Sequence, residues 1–487
     1  MRSQEVNRSL LRLSNFFIWT GLTASIILVG HIIIHADRYL HTPASASIYL
    51  GISVAAALAF AIPLFLSPGT RVNMSLTYAS LIASLYAVEL FLTLGATDFG
   101  HEARMEAAKK AGIYFDTRTK FEFVRDLRAK GVDMVSLLTA GLLFDRNNLD
   151  KVRSELQVKG VETIPLGGIA NAKVVLCNES GEYVTFDSDR YGFSNNDEIW
   201  NLKAMDVAVL GDSFSQGTCA PDGKDLASII TKTIPATVNL SMAGNGPLLE
   251  LAGISEYLST YRPKVTLWFY FEGNDLINLK SERNSFLVNY LDDQFSQDLM
   301  DRSAKINDAM RDNFNMRMEK AIERNNKTNR SLEPGFVTQI TSNIHEIIKL
   351  SALRQRLGLA VGKSEKRDVF SEEMRLFKKI LATANRRVKS WGGKFYFVYL
   401  PEWGRYRFPE FVKDSPFRQL PQHYKNEIKE IATSLSIPFI DIDAVFQSAG
   451  DPLAFFPYRQ MGHYNIDGHK VVADAIVKEL KNNIEVP

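Results

Sequence analysis

The sequence predicts an α/β protein carried behind a three-helix membrane segment, with a helical insertion inside the α/β part. Three observations predict it. Three long apolar stretches open the chain. Beyond residue 200, short β-rich runs alternate with helical patterns, as in a parallel sheet with crossover helices. Residues from about 277 to 370 then break the alternation with charged, amphipathic sequence. At 487 residues and a formal net charge of +2, the chain is too long for one ordinary domain and has no basic surplus for nucleic acid. The mean hydropathy of −0.10 averages a strongly apolar first hundred residues with ordinary globular sequence. No low-complexity tract or solenoid repeat occurs.

The apolar stretches are Phe16 to Ile34, Ile48 to Leu66 and Leu76 to Leu94. Each approaches the roughly 20 residues that cross a ~30 Å hydrocarbon core. The first is too long for a signal-peptide apolar region, and no clear small-residue cleavage site follows it. Pro63 lies near the end of the second, where it is tolerated. Arg2, Arg8 and Arg12 precede the first helix, Asp37 and Arg38 cancel in the first loop, and Arg71 lies in the second. The positive-inside bias sets the N-terminus in the cytoplasm. Residues 1–98 are therefore read as the membrane segment, and all that follows as delivered to the other side. Glu89 in the third stretch and His31 near the end of the first are read as reaching headgroups or a neighbouring helix.

Residues 99–160 are mixed and charged, with helical spacing from Lys120 to Leu138, and read as a membrane-proximal connecting region. Residues 161–487 form the α/β domain. Short strands are expected at Ala172–Leu176 and Glu182–Phe186, around Ser180-Gly181. The parallel strands are expected at Val207–Leu210, Thr237–Leu240, Val265–Phe271, Lys394–Leu400 and Pro438–Ile442, and a last helix from near Gly468. Within the insertion, amphipathic spacing marks Phe295–Ile322 and Ile340–Leu357. Its charges are read as a solvated face, with a lid or partner surface as the alternative. The two cysteines, Cys177 and Cys219, both fall in the exported part, where an oxidising compartment permits a disulfide. Such a bond would brace the turn at Ser213; two separate buried thiols are the alternative.

Four stretches carry chemistry. Gly211-Asp212-Ser213-Phe214-Ser215-Gln216-Gly217 follows the first parallel strand, an arrangement that holds a hydroxyl up as a nucleophile. Ser241-Met242-Ala243-Gly244 follows the second, and its glycine lets a backbone N–H approach a ligand. Gly273-Asn274-Asp275 ends the third. Gly462-His463-Tyr464-Asn465-Ile466-Asp467-Gly468-His469 stands at the mouth of the last helix. All four fall where open α/β sheets bind ligands, at the carboxyl ends of the strands.

In these four blocks the chain resembles the SGNH (GDSL-type) hydrolases, most clearly over 206–276 and 460–480 within 160–487. The resemblance implies a flavodoxin-like parallel sheet. It implies Ser213 as nucleophile and, through its own N–H, an oxyanion donor. Gly244 N–H and the Asn274 amide would be the further donors, and His463 the base. His463-x-Asn465-x-x-Gly468-His469 resembles the branch of membrane-linked, polysaccharide-associated members; His469 is the alternative base. Family members often have glycine where this chain has Glu272, and usually have an aspartate two or three residues before the histidine. Here those positions hold Met461 and Gln460, so the acid of the triad is unknown. A backbone carbonyl, Asp441, Asp443 or Asp467 are candidates, and a Ser–His dyad is chemically sufficient.

The expected function is a serine esterase or O-acyl(acetyl)transferase of the bacterial cytoplasmic membrane, acting outside it on a cell-surface or exported glycan through an acyl-enzyme. A transferase would need a partner membrane protein to bring the acyl group across. A non-catalytic glycan-binding or assembly subunit of a polysaccharide export system is the rival from another class, and a lipid esterase or thioesterase a further one. No metal or cofactor is expected, because the histidines lack ligand spacing with cysteines or carboxylates.

Overall fold

The computed structural model describes residues 7–34, 43–94, 99–145, 151–328, 344, 347–356, 370–407 and 424–483. Arg2, Asp37, Arg38 and the start of the second amphipathic stretch, 340–343, lie outside the described residues. The chain separates into two compact units, Met1–Phe99 with Thr328–Lys366, and Gly100–Lys327 with Arg367–Pro487.

The first unit is built on helices α1 (Arg8–Ile34), α2 (Pro43–Ala61, continued by a 3₁₀ turn Ile62–Phe65) and α3 (Pro68–Leu94). All three carry segments long and apolar enough to cross a membrane. Large apolar side chains such as Phe16, Ile27, Phe65 and Phe91 face outward. Some polar groups turn inward, Ser14, Ser25, Ser53, Ser75 and Glu89 among them. Ser14 Oγ lies 2.6 Å from Ser75 Oγ. The Arg71 guanidinium donates to Asn15 Oδ1 at 3.0 Å and to the carbonyls of Pro63 and Leu64 at 3.1 and 2.9 Å. The Ser14–Ser75 contact sets the start of α1 beside the start of α3, so Arg8, Arg12 and Arg71 lie toward one end of this unit. Glu89 is buried and accepts a hydrogen bond from Leu353 N at 2.7 Å, near the start of the short helix Ser351–Arg356. It interacts with a neighbouring helix, one of the two roles expected for it.

The second unit is organised by a five-stranded sheet of β1 (Val207–Leu210), β2 (Thr237–Asn239), β3 (Val265–Phe271), β4 (Lys394–Leu400) and β5 (Phe439–Asp441). The spatial order is β2-β1-β3-β4-β5, and every neighbouring pair is parallel. This is the flavodoxin-like order, which leaves a crevice where the chain reverses direction across the sheet, at the carboxyl ends of β1 and β3. Helices cover both faces, so the strands read as continuous apolar runs. Side chains still alternate between faces. Ala208, Leu210, Trp268, Tyr270 and Phe397 pack on one side against Phe377 and Ile380 of a long helix, Ser371–Ser390. Val207, Val209, Leu267, Phe269 and Val398 pack on the other against Ile230 of Leu226–Thr233 and Val472 and Ile476 of the last helix, Ile466–Asn483.

The sequence ahead of this sheet contributes to its core. The helical spacing expected from Lys120 to Leu138 yields a helix only over Lys120–Ala129, opened by a Thr119/Glu122 capping box. Gly131, in the left-handed region, turns the chain into a strand at Met134–Ser136. That strand pairs in parallel with Lys173–Val175, which pairs antiparallel with Thr185–Asp187. Val124, Met134, Val135, Val174 and Val175 join the first core. In the insertion, the helix Ser303–Thr328 buries Ile306, Met310 and Phe314, four residues apart on one face, against the same core. Of the insertion, Thr328–Lys366 groups with the first unit and the rest with the second.

Candidate active site

The site is built from the ends of β1 and β3 and from two loops that meet there. After β1, Asp212 caps the short helix Ser213–Gln216, its carboxylate accepting from Phe214 N at 2.9 Å. Ser213 takes the first position of that helix and is largely buried, at 8 % exposure. Phe214 stacks on Phe271 with ring centroids 3.7 Å apart and lies against the rings of His463 and Tyr464 at 4.8 and 4.9 Å. The serine turn is thereby wedged between the end of β3 and the histidine loop.

His463 Nε2 lies 2.9 Å from Ser213 Oγ. Its other ring nitrogen, Nδ1, lies 3.1 Å from Glu179 Oε1, and its backbone N–H donates to Glu179 Oε2 at 2.7 Å. One carboxylate thus holds both the ring and the backbone of the histidine. Close approach is needed for this: a Cβ at position 462 would fall 2.6 Å from Glu179 Oε2, and the residue there is glycine. Burial pulls the His463 imidazole down, but the charge and hydrogen bond of Glu179 outweigh it, and its pKa is raised above the ordinary 6.5. Burial likewise pushes the Glu179 carboxyl up, but the charge and hydrogen bonds of His463, with the charge of Arg104, leave it below the usual carboxylate range. Arg104 donates to Met461 O at 2.5 Å, bracing the same loop. His469 is a different case. It is fully buried, neither ring nitrogen has a hydrogen-bond partner among the described residues, and burial pushes its pKa down to about 3.

The carboxylates considered from sequence are occupied elsewhere or stand apart. Asp443 accepts from Tyr406 Oη, Lys425 Nζ and Gln447 Nε2 at 2.7–2.8 Å. Asp441 caps the following helix through Ala444 N and pairs with Lys425. Asp467 lies in the first turn of the last helix. Glu179, which the sequence reading missed, lies in the turn between the strands Lys173–Val175 and Thr185–Asp187. It precedes Ser213 in the chain and stands far from the histidine block. One signal pointed to it: Cys177 stands two residues before Glu179 and is joined by a disulfide to Cys219, six residues after Ser213.

Gly244 and Asn274 occupy the same edge of the sheet. Gly244 has φ +80°, a conformation that favours glycine, and no heavy atom lies within 4 Å of where its Cβ would be. Its turn is held by the helix that begins after Asn274, Asp275–Glu282. Asn278 Nδ2 donates to Gly244 O and Asn245 O at 3.3 and 3.1 Å, while Glu282 accepts from Gly246 N and Leu248 N at 2.7 and 2.8 Å. Burial raises Glu282 to about 7 and Asp212 to about 6, Asp212 being drawn back down by Phe214 N–H, the His463 charge and the Asn274 amide. Gln216 Oε1 accepts from Ala243 N at 2.9 Å and ties the serine helix to the glycine turn. Glu272, at the position where the resembled family often has glycine, is fully buried. It accepts from Glu402 N at 2.8 Å, from Arg405 Nε at 2.7 Å and from Tyr399 Oη. Its side chain is engaged with β4 and the loop after it.

Glu179, Cys219 and His463 offer one ligand atom each within 4.8 Å of one another. With Cys219 Sγ held in the disulfide, the group lacks the thiolate that a metal would require.

Fold and site together define an α/β protein with three apolar N-terminal helices and a serine–histidine–carboxylate cluster at the carboxyl edge of a parallel sheet. No protein-family model matches the sequence, and no curated protein matches it. Among solved structures it is similar to an acetyl xylan esterase, AlAXEase, at 11 % identity over 57 % of this chain and 100 % of that one, with a TM-score of 0.30. It is similar to a lipase/acylhydrolase from Enterococcus faecalis at 12 % identity over 58 % and 99 %, TM-score 0.31. It is also similar to a two-domain esterase active on acetylated mannans, at 11 % identity over 59 % of this chain and 51 % of that one, TM-score 0.30. These likenesses are distant and transfer no activity to this chain.

Proposed function

We propose that the protein is a membrane-anchored serine esterase or O-acyl(acetyl)transferase working outside the bacterial cytoplasmic membrane on a cell-surface or exported glycan. The observation that carries the proposal is the position of His463, with Nε2 at Ser213 Oγ and Nδ1 at Glu179. A serine hydroxyl is a weak nucleophile until a base takes its proton, and the base works only if its tautomer is fixed. Glu179 accepting from Nδ1–H leaves the Nε2 lone pair directed at the hydroxyl.

In the proposed reaction, Ser213 Oγ attacks the ester carbonyl as its proton passes to His463 Nε2. The Ser213 and Gly244 N–H groups and the Asn274 amide stabilise the oxyanion. Collapse of the tetrahedral adduct expels the alcohol, which takes the proton from His463, and leaves an acyl-serine. Water or a sugar hydroxyl then attacks, with His463 again as base. Water gives hydrolysis and a sugar hydroxyl gives transfer. Glu179 carries the negative charge that steadies the imidazolium in both halves. The glycan substrate, the extracytoplasmic placement and a partner that supplies acyl groups follow from the resemblance and the charge bias of the membrane segment.

The test is acyl-enzyme trapping on the detergent-purified protein, with a fluorophosphonate probe and p-nitrophenyl acetate. Labelling and burst release that vanish in Ser213→Ala are expected. A folded protein that shows neither, across several acyl donors, refutes the enzymatic reading and leaves the binding-subunit alternative.

A further inference from the structure

We propose that the Cys177–Cys219 disulfide is the clamp that sets the acid against the base, so that the site becomes competent only on oxidation. This rests on reading Ser213, His463 and Glu179 as nucleophile, base and acid.

The bond links the part of the chain that carries the acid to the part that carries the nucleophile. Cys177 leads into the turn that carries Glu179, and Cys219 lies in the loop leaving the Ser213 helix, 42 residues along the chain. That loop is itself tied to the nucleophile, since Thr218 N donates to Ser213 O at 3.0 Å. The sulfur also touches the base directly: Cys219 Sγ lies 3.5 Å from His463 Nδ1, the nitrogen that faces Glu179. Ring, carboxylate and disulfide therefore meet at one atom.

Cys219 has a backbone φ of +70°, in the left-handed region that residues with a Cβ rarely adopt. A residue kept in that conformation is being held there by its surroundings, and here the side chain is bonded to the acid's turn. The other hydrogen bonds of that turn run elsewhere. Asn178 Nδ2 donates to Asp116 O at 2.8 Å, Gly181 N to Asn178 Oδ1 at 2.9 Å, and Tyr458 Oη to Ser180 O at 2.9 Å. They shape the turn and fasten it to the 113–118 loop and to the segment before His463. The covalent tie to the nucleophile side is the disulfide.

In the oxidation step the two thiols lose two protons and two electrons to the disulfide of a thiol oxidant. The Sγ–Sγ bond forms on this chain, and the oxidant leaves as two thiols. Before that step the acid's turn keeps its hydrogen bonds but lacks the covalent tie to the nucleophile side, and a misplacement of about 1 Å is enough to slow such chemistry. A chain made in a reducing compartment would thus acquire its acid–base pair on reaching an oxidising one.

The test uses the full-length protein in detergent, oxidised or reduced with dithiothreitol, together with Cys177→Ser/Cys219→Ser, each in the wild-type and Glu179→Gln backgrounds. Reduction is expected to lower kcat for p-nitrophenyl acetate about 10²-fold with KM little changed, and to have little further effect in Glu179→Gln. The reduced wild type covers the case in which the cysteine variant does not fold. An unchanged kcat, or an equal fall in both backgrounds, overturns the proposal, because general loosening would act regardless of Glu179. A second readout separates this proposal from the functional one. In Ser213→Ala protein, the NMR titration midpoint of the His463 ring should move down on reduction as the carboxylate withdraws. If the oxidised wild type hydrolyses nothing, the functional reading fails and this titration still decides: a downward move upholds the clamp and an unmoved midpoint overturns it.

Discussion

His463 is under two opposed influences, burial that disfavours its charge and a carboxylate that favours it, and the carboxylate wins. The sign of the resulting pH dependence follows. In the proposed reaction His463 must be neutral to take the Ser213 proton, so kcat/KM should fall as pH drops through the raised His463 pKa, above 6.5. Glu179→Gln should shift that limb to lower pH and reduce kcat by up to about 10⁴, the cost of losing the corresponding acid in serine proteases. pH–rate profiles of the two proteins check both points, and an unmoved limb would remove Glu179 from its role. Asn274→Ala should lower kcat by about 10²–10³ with KM little affected if its amide holds the oxyanion; an effect confined to KM would assign it to ground-state binding instead. At this scale Ser213, Gly244, Asn274 and His463 were legible as candidates, and as neighbours of the sheet's carboxyl edge, because each sits in a short motif after a strand or before a helix. Glu179 was not. A carboxylate brought to the ring by a hairpin from another part of the chain leaves no local pattern, and the clue that existed was the spacing of the two cysteines.

The helix Asp275–Glu282 shows how one element serves two functional groups. Asn274 stands at its N-terminal flank, and Asn278 in its middle and Glu282 at its end hold the Gly244 turn. Glu282→Ala would leave the buried N–H groups of Gly246 and Leu248 without their acceptor. It should destabilise the folded protein by about 2–6 kcal/mol, at about 1–3 kcal/mol for each of the two orphaned groups, read from thermal or denaturant unfolding. Glu282→Gln keeps one acceptor oxygen and should cost less. Equal stability of the alanine variant would mean that the turn is held by other contacts. The five parallel strands were readable almost to the residue because burial on both faces makes them unbroken apolar runs. The strand Met134–Ser136 was not, since three residues pairing with a segment almost forty positions away carry no periodicity of their own. Its place was read as the end of a helix that in fact stops at Ala129.

For the molecule as a whole, the division into units bears on how the parts can be separated. Residues 328–366 group with the apolar helices although they lie far along the chain, and there Ile344 and Ile348 are exposed. A version lacking residues 1–98 should therefore stay associated in size-exclusion chromatography unless 328–366 is replaced by a short polar linker as well; a monodisperse product from the first deletion alone would contradict this. Arg8, Arg12 and Arg71 lie toward one end of the helical unit, which is the arrangement the positive-inside rule needs for a cytoplasmic N-terminus. A C-terminal reporter active only outside the cytoplasm should be active, and a cytoplasmic result would overturn the extracytoplasmic placement. The order in which the three reacting groups occur in the chain has a consequence for biosynthesis. Glu179 is made first, Ser213 next, and His463 only 250 residues after Ser213. In the proposed scheme a growing polypeptide carries its nucleophile without a base while those 250 residues are made. In the proposed scheme an acyl-enzyme would then form only after His463 has reached Ser213 and the disulfide has closed.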